Sequence, residues 1–106
     1  MSTRAHREST LERSFREGVE KLNGKALKFV SPGEAGVTDR IVIFPFIPVQ
    51  FVELKKEGKP LEPLQVLFRD WLLERGQHHA CLDTHAKVAA WLAEMHRRID
   101  RAGKLQ

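Results

Sequence analysis

Two apolar runs, Ile41-Val42-Ile43-Phe44 and Val49-Gln50-Phe51-Val52, stand either side of Pro45 and Pro48. Together they constrain the fold more than any other part of the chain. Extended runs joined by a short Pro-containing connection predict a β-hairpin. Gly33-Glu34-Ala35-Gly36-Val37-Thr38-Asp39-Arg40 leads into the first run, and Glu53-Leu54-Lys55 leads out of the second. In an antiparallel pair, the start of one strand lies beside the end of the next. Asp39 is therefore expected near Glu53 and Lys55 in space. Residues i and i+2 of a strand share a face, so Glu53 and Lys55 should project together.

Two carboxylates and a lysine at one strand end suit a divalent-cation site. Asp39 and Glu53 offer the hard oxygen donors that Mg2+ or Mn2+ prefer, and Leu54 can add its backbone carbonyl. Lys55 would then orient a water or offset charge on a phosphate. The same residues also fit a solvated strand end that carries a Glu/Lys pair.

The flanking segments predict the remaining elements. Leu11, Phe15, Val19 and Leu22 repeat at helical spacing over roughly residues 8–22. Ser9 and Glu12 form a capping box at its start, and Asn23-Gly24 stops it. Glu8 lies close enough to this stripe to point towards the sheet. Residues 25–30 read as a short strand ended by Ser31-Pro32-Gly33. A second helix begins near Pro63 and ends at Gly76, with Leu64, Leu67, Phe68, Trp71 and Leu72 as its buried stripe and Gln65 beside it. A strand over 78–82 follows. Then comes a helix capped by Asp83 or Thr84, with Val88, Trp91, Leu92, Met95 and Ile99 facing inward. Trp71 and Trp91 read as core residues, and Cys81 as a small core side chain. The tail from Arg101 is expected to fray.

The hairpin turn, Pro45-Phe46-Ile47-Pro48, is apolar where turns are usually polar. Phe46 and Ile47 either fold back on their own sheet or form an exposed patch, and the patch predicts a homodimer contact.

With 106 residues, the chain suits one domain, 1–106, with its core over about 7–99 and a basic tail over 100–106. A net charge of +4 favours a polyanionic partner such as nucleic acid. Carboxylates set in a basic surface suit a metal-dependent nuclease, in which the surface attracts phosphate and the carboxylates hold the ion. No apolar run is long enough to span a bilayer. Met1 to Glu8 has no apolar core, so no secretory leader is expected. A single cysteine, Cys81, excludes an intramolecular disulfide framework and fits a reducing cytosol. His78, His79, Cys81 and His85 lie close in sequence, but their spacing is a poor match to a closed zinc site.

The order of elements and motifs resembles the VRR-NUC family of the PD-(D/E)xK nuclease superfamily. The resemblance is carried by Arg7-Glu8-Ser9, Lys28-Phe29-Val30-Ser31-Pro32-Gly33, Gly36-Val37-Thr38-Asp39-Arg40, Phe51-Val52-Glu53-Leu54-Lys55 and Pro63-Leu64-Gln65. It covers about residues 7–95. It implies an α/β, restriction-endonuclease-like core of order αβββαβα, a mixed central sheet flanked by helices. It also implies that Asp39 and Glu53 bind Mg2+ or Mn2+, and that Glu8 completes the shell directly or through water. By the same resemblance Lys55 positions the water, Gln65 stands near the site, and Lys28, Arg40 and Lys56 serve DNA. The chain departs from the family at Thr38, where members usually carry proline, and at its apolar hairpin turn. The resemblance further implies phosphodiester hydrolysis in the cytoplasm of a bacterial or phage-infected cell. Short standalone members are similar to homodimeric Holliday-junction resolvases, which act on branched DNA in repair and recombination. A flap, fork or non-specific nuclease, or a non-catalytic DNA-binding module, would use the same residues differently.

Overall fold

The computed structural model describes residues 8–105, so Arg4, Arg7, the rest of the N-terminal stretch and Gln106 lie outside the described residues. The elements are α1 (Thr10–Lys21), β1 (Lys25–Lys28), β2 (Arg40–Ile43), β3 (Gln50–Leu54), α2 (Pro63–Glu74), β4 (His78–Leu82) and α3 (His85–Gly103). This is the αβββαβα order expected from the sequence.

Local chemistry sets the helix ends. The Ser9 side chain accepts from the Glu12 N–H at 3.1 Å, and Glu12 Oε1 accepts from the Ser9 N–H at 2.7 Å, which completes the capping box. At the other end Asn23 takes φ 62°, and Asn23 and Gly24 donate to the carbonyls of Glu20 and Val19. This paired arrangement satisfies carbonyls left over by the last turn. Gly76, at φ 75°, closes α2 in the same way, with Gly76 and Gln77 donating to Leu73 and Leu72. Thr84, rather than Asp83, caps α3, accepting from the Lys87 N–H.

The sheet runs β1-β2-β3-β4. The first two pairings are antiparallel and the third is parallel, with α2 as the crossover between β3 and β4. The hairpin register pairs Arg40 with Val52 and Val42 with Gln50. Strand alternation then sorts the faces. Val42, Phe44, Val52 and Leu82 meet Phe15 and Val19 of α1 and Val88 and Met95 of α3 in one core. Trp91 joins that core, stacking on Phe15 and tilted against Phe44. The odd-numbered residues Asp39, Ile41, Phe51, Glu53 and Lys55 share the opposite face, over which α2 crosses.

Three expectations change here. The α2 stripe is not buried as a whole. Leu72 is 2% exposed, but Leu64 and Leu67 are exposed and Trp71 is 49% exposed. These side chains instead line an open cavity of about 700 Å³ with Phe29, Ile41 and Phe51. Among the described residues no second helix covers this face of the sheet, so the stripe lacks a full partner. The tail does not fray at Arg101, since α3 continues through Gly103 and Lys104 pairs with Asp100 at 3.0 Å. The hairpin turn divides its apolar pair: Ile47 packs against the core, while Phe46, at φ 69°, is 58% exposed. Ile47 is thus partly engaged by its own core, and Phe46 is the more exposed of the pair. Among the described residues no helix is long and apolar enough to cross a membrane.

Candidate active site

The hairpin register sets Asp39 opposite Glu53, and direct contacts follow. The Asp39 N–H donates to Glu53 Oε1 at 3.3 Å, and the Leu54 N–H donates to Asp39 Oδ1 at 3.4 Å. Gln65 sits in the first turn of α2, where the Pro63 start aims it at the end of β3. Its Nε2 donates to Glu53 Oε2 at 3.2 Å, and its Oε1 accepts from Lys55 Nζ at 3.2 Å. The same Oε1 accepts the Glu62 N–H at 2.8 Å, so one side chain both caps α2 and ties it to the cluster. Asp39, Glu53, Lys55 and Gln65, all named from sequence, are thus brought together.

Burial governs the electrostatics. Burial, and then the neighbouring Asp39 charge, push the Glu53 carboxyl from 4.5 up to about 7. Burial likewise raises Asp39, against the opposing pull of the Arg40 guanidinium. Two crowded carboxylates, each disfavoured as an anion, fit a hard cation that would neutralise both. Mg2+ is commonly held by one or two carboxylates and keeps several waters, which suits this pair. Among the described residues no group of three or more His, Cys, Asp or Glu side chains is placed to hold a metal, the His78, His79, Cys81 and His85 set included.

Other expected residues lie elsewhere. Glu8, expected to complete the metal shell, is tied to Arg16 through two hydrogen bonds of 2.8 and 3.1 Å. That pairing holds its carboxyl below the usual range. Arg40, expected to touch DNA, is only 6% exposed. Its Nη1 donates to Asp39 Oδ2 at 2.8 Å and its Nη2 to Glu12 Oε2 at 2.7 Å, so its charge is spent inside the fold. Lys28 and Lys56 are exposed, and Lys28 Nζ stands 3.9 Å from Glu12.

Two residues near the site escaped the sequence reading. Glu12 was read only as a cap, yet its second oxygen reaches Arg40. No local pattern signals that contact, which spans 28 positions. Thr38, where the chain departs from the family, is 1% exposed, and among the described residues its Oγ1 has no hydrogen-bond partner.

The comparisons bear on this geometry. No family model matches the chain. The phage protein "Putative nuclease p44", from Acyrthosiphon pisum secondary endosymbiont phage 1, is 38% identical over 78 residues, which is 74% of this chain and 84% of that protein. A solved structure described as a VRR_NUC domain matches with a TM-score of 0.76 at 25% identity, covering 81% of this chain and 94% of that one. With this fold, this relative and the Asp39–Glu53–Lys55 cluster at the hairpin, the chain belongs to the VRR-NUC family of nuclease domains.

Proposed function

We propose that this chain is a single-domain, Mg2+- or Mn2+-dependent endodeoxyribonuclease that cuts four-way DNA junctions as a homodimer. The observation that carries the reading is the gathering of Asp39, Glu53, Lys55 and Gln65 at one end of the hairpin. Asp39, Glu53 and the Leu54 carbonyl would hold the cation. When bound, a divalent ion supplies Lewis-acid polarisation of a phosphate and lowers the pKa of a nearby water. The protein's own part is to bind and orient. Gln65 holds the Lys55 ammonium beside Glu53, where it can offset the charge that develops on a phosphate. Lys28 and Lys56, exposed near the strand ends, would contact the DNA backbone. The printed name of the phage relative supports nuclease activity.

The junction and the dimer rest on the resemblance to family members that act as homodimeric junction resolvases. A two-fold dimer presents two matching sites, and a four-way junction needs two matching cuts. Phe46 is the exposed apolar residue offered for the dimer contact. The cytoplasm of a bacterial or phage-infected cell is the setting this implies.

The test is cleavage of labelled four-way junction, flap, fork and duplex DNAs, with Mg2+, Mn2+ or EDTA, by wild type and Glu53→Ala. Paired symmetric nicks in the junction that require metal and Glu53 are expected. Cutting confined to flaps or duplex would keep the site and discard the junction. Metal-independent binding with no cutting of any DNA would leave a binding module.

A further inference from the structure

Asp39 is held by more than the hairpin. Arg40 Nη1 bonds both Asp39 Oδ2, at 2.8 Å, and the Asp39 carbonyl, at 3.3 Å. Arg40 Nη2 is anchored on Glu12 Oε2 at 2.7 Å. Glu12 is itself pinned at its other oxygen by the Ser9 N–H. The Arg40 side chain leaves β2 on the α1 face, whereas Asp39 belongs to the α2 face, so the guanidinium reaches around the sheet end to join them. A guanidinium is a planar fork with fixed angles between its donors. Bonds at both ends therefore fix its plane, and through it the plane of the Asp39 carboxylate.

We propose that Arg40, anchored by Glu12 at the N-terminus of α1, is a positioning residue that presents Asp39 Oδ1 to the divalent cation by occupying Oδ2. The inference rests on the metal-dependent reading above. In it the helix cap, Glu12, Arg40 and Asp39 form one continuous support running from α1 to the ligand. Groups that orient a metal ligand typically change metal affinity by about 10–100-fold when altered.

Two variants separate orientation from charge and from folding. Arg40→Lys keeps the positive charge but loses the fork. Glu12→Gln keeps the side-chain size, but glutamine has one acceptor oxygen where glutamate uses two. Glu12 meets Ser9 and Arg40 with different oxygens, so in glutamine one of the two donors faces an NH2 group and the support is broken at that link. The Glu12 side chain is 18% exposed and the exchange keeps its shape, so this variant carries the test even if Arg40→Lys fails to fold. Mn2+ binding is measured by the electron paramagnetic resonance of the free ion, without DNA, alongside calorimetric melting. The expected result is Mn2+ binding weakened about tenfold or more in each variant. In the double variant the loss should be no greater than in the weaker-binding single variant, because both cut one support. Mn2+ affinity unchanged or tightened, with only the melting temperature lowered, would overturn the proposal and make the bridge purely structural. If wild type itself fails to bind Mn2+, the metal reading of the site falls and the positioning role with it.

Discussion

Glu53 is the residue whose titration matters most. Its folded pKa, about 7, stands above its ordinary 4.5 because burial and Asp39 oppose ionisation. Between those values the folded chain holds a proton that the unfolded chain releases. Stability contributed by this group is therefore present below about 4.5 and is lost as pH rises through about 7. Melting in EDTA is expected to shift down between pH 5 and pH 8, and Glu53→Gln should flatten that slope. Added Mg2+ should raise the melting temperature more at pH 8 than at pH 5, since a ligand carboxyl must lose its proton to bind. A wild-type melting temperature in EDTA that does not vary with pH would contradict this account. Thr38 offers a second test at the same scale. Its buried hydroxyl has no partner among the described residues, and an unmet buried polar group costs about 1–3 kcal/mol. Thr38→Val preserves the shape and should stabilise the fold by about 1 kcal/mol in urea titrations, with a loss of stability counting against it. The sequence marked Thr38 as unusual, yet nothing local could say that its oxygen is left without a partner.

Among the elements, α2 departs most from its sequence reading. Periodicity names the face a helix turns inward, but not whether anything waits there. Here Leu72 is buried, while Leu64, Leu67 and Trp71 line the open cavity beside Ile41 of β2 and Phe51 of β3. Trp71 stacks instead on Phe68 and lies beneath the Arg75 guanidinium, 4.3 Å from its centroid. Leu72→Ala is expected to cost about 2–5 kcal/mol, as for a buried leucine. Leu67→Gln should change stability by no more than about 0.5 kcal/mol, as for a surface position. Equal costs at the two positions, read from denaturant midpoints, would mean that the stripe is covered after all. α1 and α3 were more legible, because their stripes meet a sheet face that both helices share.

At the scale of the whole molecule, the loop from Phe29 to Asp39 locks the hairpin to α2. Gly36 takes φ 84°, and a Cβ there would collide with the Leu64 carbonyl oxygen. Gly36→Ala should lower the melting temperature and displace the neighbouring Gln65 from Glu53. Its Mn2+ affinity is expected to fall with it, and wild-type binding would argue against this coupling. Association is read at the same scale. Ile47 is partly buried against the core, so Phe46, 58% exposed, is the residue altered. Phe46→Ser is expected to yield a monomer by light scattering, and a dimer that survives the change would exclude the turn as the contact.

The element order, the α1 capping box and the hairpin pairing that sets Asp39 against Glu53 were legible in the residues alone. Each follows from short-range chemistry: alternation in strands, side chains that satisfy helix ends, and glycine or asparagine where φ is positive. Gln65 was legible for the same reason, since its place in the first turn of α2 follows from Pro63. What lies across the gaps between elements emerged only from packing. It turned Arg40 inward, joined it to Glu12 over 28 positions, withdrew Glu8 to Arg16 and left the α2 stripe open. These outcomes depend on how α1 and α2 dock against the sheet, and docking sums contacts from residues far apart in the chain. No short window of sequence carries that sum.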